Sequence, residues 1–317
     1  MSAASGSDGH VVRIDRAKAL ADEAHTGHNR WHPEITPVLR VEPGQLVTLE
    51  TRDAFDGQFT PSSTPEDVAA VNLNLVHPLT GPVHVEGAEP GDLLVVEVVA
   101  VEPQPQAFTV QVPGFGFLRD VFPEPYIVHW QIADGVATSE QLPDVRVPGA
   151  PFMGVMGVAP SRELLSTMAA RERDLADRGG MVLLPDATDA VPAEVEIADE
   201  ALRTIPPRET GGNVDIKQLT AGARVLLPLS VTGALFSAGD AHFAQGDGEV
   251  CGTAIEMGAT FSARFELRKG VAARRGIRDT RFELDDFVTR PEPSTPRRCV
   301  VTTGLPIQAD GGNAAED

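Results

Sequence analysis

Cysteine is scarce in this chain. Cys251 and Cys299 are the only two in 317 residues, and even joined to each other they are too few for a disulfide framework. A reduced, cytoplasmic setting is the expectation. Long apolar runs are missing as well. None approaches the ~20 residues that a membrane span needs, and the opening MSAASGSDGH has no basic stretch followed by an apolar one, so neither a span nor a secretory leader is expected. Positive charge is in deficit: 26 Lys and Arg against 46 Asp and Glu leave a formal net charge of −20. A uniformly negative field repels phosphate backbones and anionic membrane surfaces. Nucleic acid and membrane are therefore excluded as partners, and a small neutral or cationic molecule is favoured.

What is plentiful is punctuation. Glycine (30) and proline (26) separate short apolar runs, which points to turns joining strands rather than to a helical bundle. Residues 38–51, VLRVEPGQLVTLET, read as strands on either side of the turn Glu42-Pro43-Gly44. Residues 83–102 repeat the design around Pro90-Gly91-Asp92, and residues 216–231 do so around Ala221-Gly222. The recurrence suggests related β-units in two β-rich halves. The expected fold class is mainly β (α+β) with few helices. Strands are expected near 38–51, 93–101, 224–231 and 250–267. One helix is expected near 161–177, capped by Ser161, with Leu164, Leu165, Met168 and Leu175 on one face. Residues 1–27 read as a loosely ordered lead-in, residues 28–290 as the main domain, about 161–203 as an insertion whose acidic end (185–203) lies on the surface, and 291–317 as a Pro, Gly and acid-rich tail.

Chemistry-bearing residues concentrate in a few segments. In His28-Asn29-Arg30-Trp31-His32-Pro33 each histidine reads equally well as a hydrogen-bonded strand residue. Asp53-Ala54-Phe55-Asp56-Gly57-Gln58 reads first as a turn former. The segment 239–249, GDAHFAQGDGE, is different: Asp240, His242, Asp247 and Glu249 alternate with small residues between the apolar runs ALFSA and VCGTAIE. So many ligand-capable groups between core strands are costly unless a metal or substrate satisfies them. Residues 81–92 place Glu86 and Glu89 just before an apolar strand. In 211–217, Asn213, Asp215 and Lys217 occupy alternate positions and, in a strand, would share one face.

Taken in order, HNRWHP, the Asp53 segment, VHPLTGPVHVEGAEPGDLL, RTIPPRETGGNVDIK and SAGDAHFAQGDGEVCGTAIE resemble the acetamidase/formamidase family over roughly residues 28–300. The resemblance implies a β-rich, barrel- or sandwich-like, homo-oligomeric cytosolic enzyme that hydrolyses short aliphatic amides to carboxylate and ammonia. Two departures accompany it. Residues 161–203 are longer than in the compact acetamidase-like members, and after VVTTGLP the helical segment usual in the family is replaced by a low-complexity stretch ending at Asp317. If that segment covers the site or builds the oligomer, activity or assembly changes with it.

No Ser-Gly-rich amidase signature is present, and Cys251 reads as a core strand residue. Metal-activated water is then the economical nucleophile, with zinc as the first reading. The expected ligands are His242, Asp53 and Glu86. Glu249 is the expected general base, Lys217 the oxyanion or leaving-group partner, and Asp215 completes the catalytic set. Asn213, His77 and Gln245 are the expected substrate-binding residues. A calcium site built from Asp240, Asp247 and Glu249 competes. A lactam or other amide hydrolase, and a non-catalytic binding relative, are the alternative functions.

Overall fold

The computed structural model describes residues 10–285, and residues 299–302 by their backbone. Its spine is a pair of long antiparallel strands, Leu93–Gln111 and Glu256–Arg268. They stay in register from Glu256 opposite Phe108 to Arg268 opposite Leu93, with two irregularities. The run LLVVEVVAV favours this because branched side chains fit a pleated surface. Both of its faces are covered: Leu94, Val96 and Val98 enter the main core, while Leu93 and Val95 meet Leu226, Ala272 and Ile277. Along its other edge the Leu93 strand pairs first with Arg224–Pro228 and then with Tyr126–Ala133. Strands from both ends of the chain share one 16-stranded sheet. The molecule is mainly β, as expected, and among the described residues no helix is long and apolar enough to cross a membrane.

The three Pro/Gly turns form where expected. Gly44, Gly91 and Gly222 take φ of 88°, 88° and 94°, a region open to glycine at little steric cost. They are corners rather than hairpins. Leu39–Val41 runs parallel to Leu79–Val85, whereas Leu46–Thr51 pairs with Glu256–Arg268 and with His10–Val12. The turns at Gly44 and Gly91 thus pass the chain from one set of strand partners to another, whereas the turn at Gly222 follows a stretch, 214–220, that forms no strand.

The helix Arg162–Asp177 begins at Ser161, whose hydroxyl accepts from the Leu164 amide. It buries Leu165, Met168 and Leu175, and its buried Glu172 takes a two-pronged bond from Arg208 at 2.6 and 3.0 Å.

Several expectations are corrected. Residues 10–27 are not loose: His10–Val12 joins the sheet and Leu20–Thr26 forms a 3₁₀ turn. The stretch 185–203 is not merely superficial, because Ala190 and Val191 are buried and Leu202–Arg203 pairs with Arg30–Trp31. The strand expected from residue 250 starts only at Glu256; residues 250–251 are a turn. The tail expectation falls mostly outside the described residues, although Cys299–Thr302 pairs with Arg281–Leu284.

Candidate active site

The site is built where one strand changes partners. Phe236–His242 is buried throughout. On one edge it pairs along its length with Phe152–Val158. On the other, Gly239 faces Leu79, but Ala241 and His242 face Met257 and Glu256. Asp240 sits at the handover with a φ of 55°. Such a left-handed residue re-aims its side chain relative to a regular strand. The register then sets His242 beside Glu256, and the loops after residues 213 and 245 bring up Asp215 and Glu249.

Four carboxylates converge on a single nitrogen. His242 Nε2 lies 3.3 Å from Asp240, 3.3 Å from Glu256, 3.7 Å from Glu249 and 4.0 Å from Asp215. The far edge of the ring is fixed. Gln245 donates its amide to the Asp215 carbonyl at 2.9 Å, so its oxygen is the group that accepts from His242 Nδ1 at 3.0 Å. The Nδ1 edge therefore carries a proton, and in the neutral ring Nε2 presents its lone pair to the carboxylates. Phe152 meets the ring edge-on, with centroids 5.0 Å apart, and holds its plane.

The electrostatics follow from burial and crowding. Burial opposes charge on His242, but Glu256 and Asp240 hold its pKa well above the ordinary value. Burial and the neighbouring acids push Glu249 up to about 8 and Glu256 up to about 7, and raise Asp215 well above the usual carboxylate range. Asp240 runs the other way: burial would raise it, but His77 and His242 hold it low. Like charges at these distances cannot all ionise without a compensating cation.

The residues fit a divalent cation. Asp215, Asp240 and His242 each offer a ligand atom within 4.8 Å of the others, and His242, Glu249 and Glu256 form a second such group. His242 Nε2, Asp215 Oδ1 and Glu256 Oε2 are buried without hydrogen-bond partners, the condition that a bound ion relieves. Gly154 keeps the space open. A Cβ there would lie 2.5 Å from Asp240 Oδ2 and 2.6 Å from Asp215 Oδ1.

Beside the cluster is a cavity of about 40 Å³. Ala54, Phe55, Leu73, Val76, Val112, Phe115 and Ile205 make its apolar wall, and His77, Asn213, Asp240, Glu249, Thr253 and Glu256 its polar part. A larger hollow of about 280 Å³ opens beside Arg52 and Asp53. Those two are already engaged, Arg52 by Glu23 and the Lys18 carbonyl and Asp53 by its own turn, so the chemistry belongs to the smaller cavity.

The structure gathers Asp215, Glu249, His242, His77 and Asn213 at this one place. It does not bring the other expected residues there. Asp53 is half-buried and near enough for Asp240 to raise its pKa further, after desolvation has done so, but its oxygens accept from the Phe55 and Gly57 amides. It caps its own turn and is not among the carboxylates at His242. Glu86 is at the surface, paired with Arg40 and His84. Gln245 positions His242 and does not line the cavity. Lys217 does not share a strand face with Asn213 and Asp215, because the strand Gly211–Asn213 ends there and Asp215 turns at a φ of 43°. Lys217 points outward to Asp247, which is 94% exposed. That same pair takes Asp247 out of the competing calcium site. Cys251 is in a turn rather than in a core strand; its free thiol donates to the Thr253 carbonyl and lines the cavity. The side chain of Cys299 lies outside the described residues.

Glu256 joins the site from outside the polar segment 239–249. Its signal is present nonetheless: it is the lone charged residue between Glu249 and Arg264, inside an otherwise uncharged run. A single carboxylate in a strand of that kind must be buried with a partner.

Comparison with known proteins agrees with this picture. A profile of the Acetamidase/Formamidase family matches residues 13–317. An acetamidase of Mycolicibacterium smegmatis is 39% identical over 293 residues, covering 84% of this chain and 72% of that protein. A formamidase of Methylophilus methylotrophus is 36% identical and covers 95% and 77%. A γ-lactamase from Delftia acidovorans superposes with a TM-score of 0.83 at 36% identity, over 91% of this chain and 73% of the other. With residues from 13 onward matched by one profile, and with relatives this similar along most of their length, the chain belongs to the acetamidase/formamidase family.

Proposed function

We propose that this protein hydrolyses short linear amides to a carboxylate and ammonia, with Asp215, Asp240 and His242 holding a divalent cation. The observation that carries the reading is the convergence of four carboxylates on His242 Nε2 at the side of a small, apolar-walled cavity. One imidazole nitrogen among oxygen donors suits zinc better than calcium. Such an ion, when bound, supplies the positive charge that polarises an amide carbonyl and acidifies water.

The chain's own residues supply the rest. Glu249 lines the cavity with its carboxyl 3.7 Å from His242 Nε2, so it is placed to take a proton from water and give it back. It accepts a proton from the attacking water as the oxygen joins the carbonyl carbon, and returns it to nitrogen as the C–N bond breaks. Glu256 Oε1 accepts from the Ala254 amide at 2.7 Å and is the oxygen held 3.3 Å from His242 Nε2, while its Oε2 is buried without a partner. The apolar wall keeps bulk water out. Size supports the substrate class: with roughly 10–15 Å³ needed per water, a cavity of about 40 Å³ has room for the few heavy atoms of formamide or acetamide.

Ring opening of a γ-lactam is the second reading, favoured by the likeness to the Delftia protein. It needs a larger cavity than the one described. The test is ammonia release from formamide and acetamide beside ring opening of a γ-lactam panel, with metal analysis of the same preparation. Turnover of the small amides with stoichiometric cation supports the proposal, ring opening alone replaces it with the lactam reading, and bound cation without either reaction leaves a binding protein.

A further inference from the structure

Glu249 reaches the cavity on a stretch that is loose on one side and held on the other. On the side of His242 the chain is fixed as far as Gln245, which bonds both the imidazole and the Asp215 carbonyl. Gly246, Asp247 and Gly248 then run exposed to Glu249, and a Cβ on either glycine would meet nothing within 4 Å. On the far side the contacts are dense. The Gly252 amide closes a turn on the Glu249 carbonyl at 2.8 Å, and the Phe117 amide donates to the Val250 carbonyl at 2.9 Å. The Thr253 hydroxyl donates to the Val110 carbonyl at 2.8 Å, and the Thr109 hydroxyl to the Ala254 carbonyl at 2.6 Å. Thr109 and Val110 belong to the strand Leu93–Gln111, so the turn that carries Glu249 is tied to the frame from its C-terminal side.

The loop that follows Gln111 completes the hold. Gln111 donates to the Phe115 carbonyl and Arg119 to the Gly116 carbonyl, both at 3.1 Å. Gly116, at a φ of 81°, lies against the turn. A Cβ there would be 2.7 Å from the carbonyl carbon and oxygen of Cys251 and 2.9 Å from the Val250 carbonyl oxygen. Those are backbone atoms, which cannot swing aside as the end of a side chain can.

We propose that residues 113–119 are a clamp that positions Glu249, with Gly116 and the Phe117 amide setting where its carboxylate stands beside His242. The proposal rests on the reading of Glu249 as the group that takes the water's proton. Gly116 and Phe117 do not line the cavity, so they act through Glu249 and are positioning residues. Displacing a reacting group by ~1 Å can cost about 10²-fold in rate. Asp215, Asp240 and His242 lie on other segments, so the clamp acts on the base and not on the cation.

The test is a double-mutant cycle between Gly116 and Glu249 on the cation-loaded full chain, with acetamide as substrate. Gly116→Ala should lower kcat by ~10²-fold, hold KM within about threefold and keep its cation. Glu249→Gln should lower kcat by roughly 10²–10⁴-fold. In the Glu249→Gln background Gly116→Ala should cost no more than about threefold, because no base is left to misplace. Equal losses in both backgrounds mean a general distortion and overturn the proposal. Arg119→Ala removes the brace on Gly116 without adding an atom to the turn, and it carries the same cycle, at about 3- to 10-fold, if Gly116→Ala does not fold. Crystal structures of the Gly116 and Arg119 variants decide the geometry without turnover: the Glu249 carboxyl should be displaced while Asp215, Asp240 and Glu256 stay in place. An unmoved Glu249 overturns the clamp even where Glu249→Gln is inactive. A displaced Glu249 beside a fully active Glu249→Gln keeps the clamp and sinks the base reading.

Discussion

A hydrogen atom in place of a methyl group decides the reaction centre at Gly154. Its φ is not in the left-handed region, so alanine is conformationally acceptable there. The added carbon nevertheless falls 2.5 and 2.6 Å from the oxygens of Asp240 and Asp215. Gly154→Ala should fold, because the two severe contacts are with side chains and the Asp240 carbonyl, at 3.0 Å, has to give by only a few tenths of an ångström, and should lose cation affinity and turnover by ~10²-fold or more. A variant with wild-type metal content and rate would show that Asp240 and Asp215 do not hold the ion. Lys217 is the opposite case. Sequence alone makes its removal expensive, on the order of 10²–10³ in turnover by analogy with an oxyanion donor. The structure gives it a partner that is 94% exposed, and such pairs contribute roughly 0–1 kcal/mol. Lys217→Ala should therefore keep turnover within about threefold and leave the melting curve nearly unmoved; a large loss of rate would restore its catalytic role.

Among the elements, those with local causes were legible in the sequence. The helix Arg162–Asp177 starts where Ser161 caps it, and the glycines of the three turns take the conformation that their neighbours imply. What was not legible depends on which strands meet. Alternation at Asn213, Asp215 and Lys217 presumed a strand that ends at Asn213. The partnership of His242 with Glu256 comes from a cross-strand register that joins residues 14 apart around a loop. Asp53 and Glu86 stand at strand ends in matching motifs, and motif position says nothing about which direction a side chain faces. The stretch 185–203 read as surface because its composition is polar, yet Arg30 holds it from within. That guanidinium is fully buried and donates to the carbonyls of Asp186, Thr188, Asn29 and Asn74. It joins the insertion to the segment 73–77 that reaches the cavity. Arg30→Met should strand those carbonyls and destabilise the protein by ~3 kcal/mol or more. Limited proteolysis should cut faster within 179–190, and an unchanged digestion pattern with an unchanged Tm would refute the hub.

At the scale of the whole molecule, His28 contributes a dependence on acid to the folding free energy. His28 is buried, with Nε2 against the Ser237 hydroxyl at 2.7 Å, and burial lowers its pKa to about 4. The unfolded chain takes that proton near 6.5. The stabilisation is thus complete above pH 6.5 and is lost as pH falls toward 4, amounting to about 3 kcal/mol at ~1.4 kcal/mol per pH unit. His28→Asn should be less stable at neutral pH but should show a flatter acid limb; parallel wild-type and variant curves of Tm against pH would exclude the effect. The cavity wall has a consequence of another kind. Its seven apolar residues all lie outside the strands, whereas Asp240, His242 and Glu256 lie on them. The reaction centre is bolted to the frame and the aperture is hung from the connections. Exchanging Phe115 or Ile205 for a smaller residue widens the aperture without disturbing a ladder bond, so one set of reactive groups can serve substrates of graded girth.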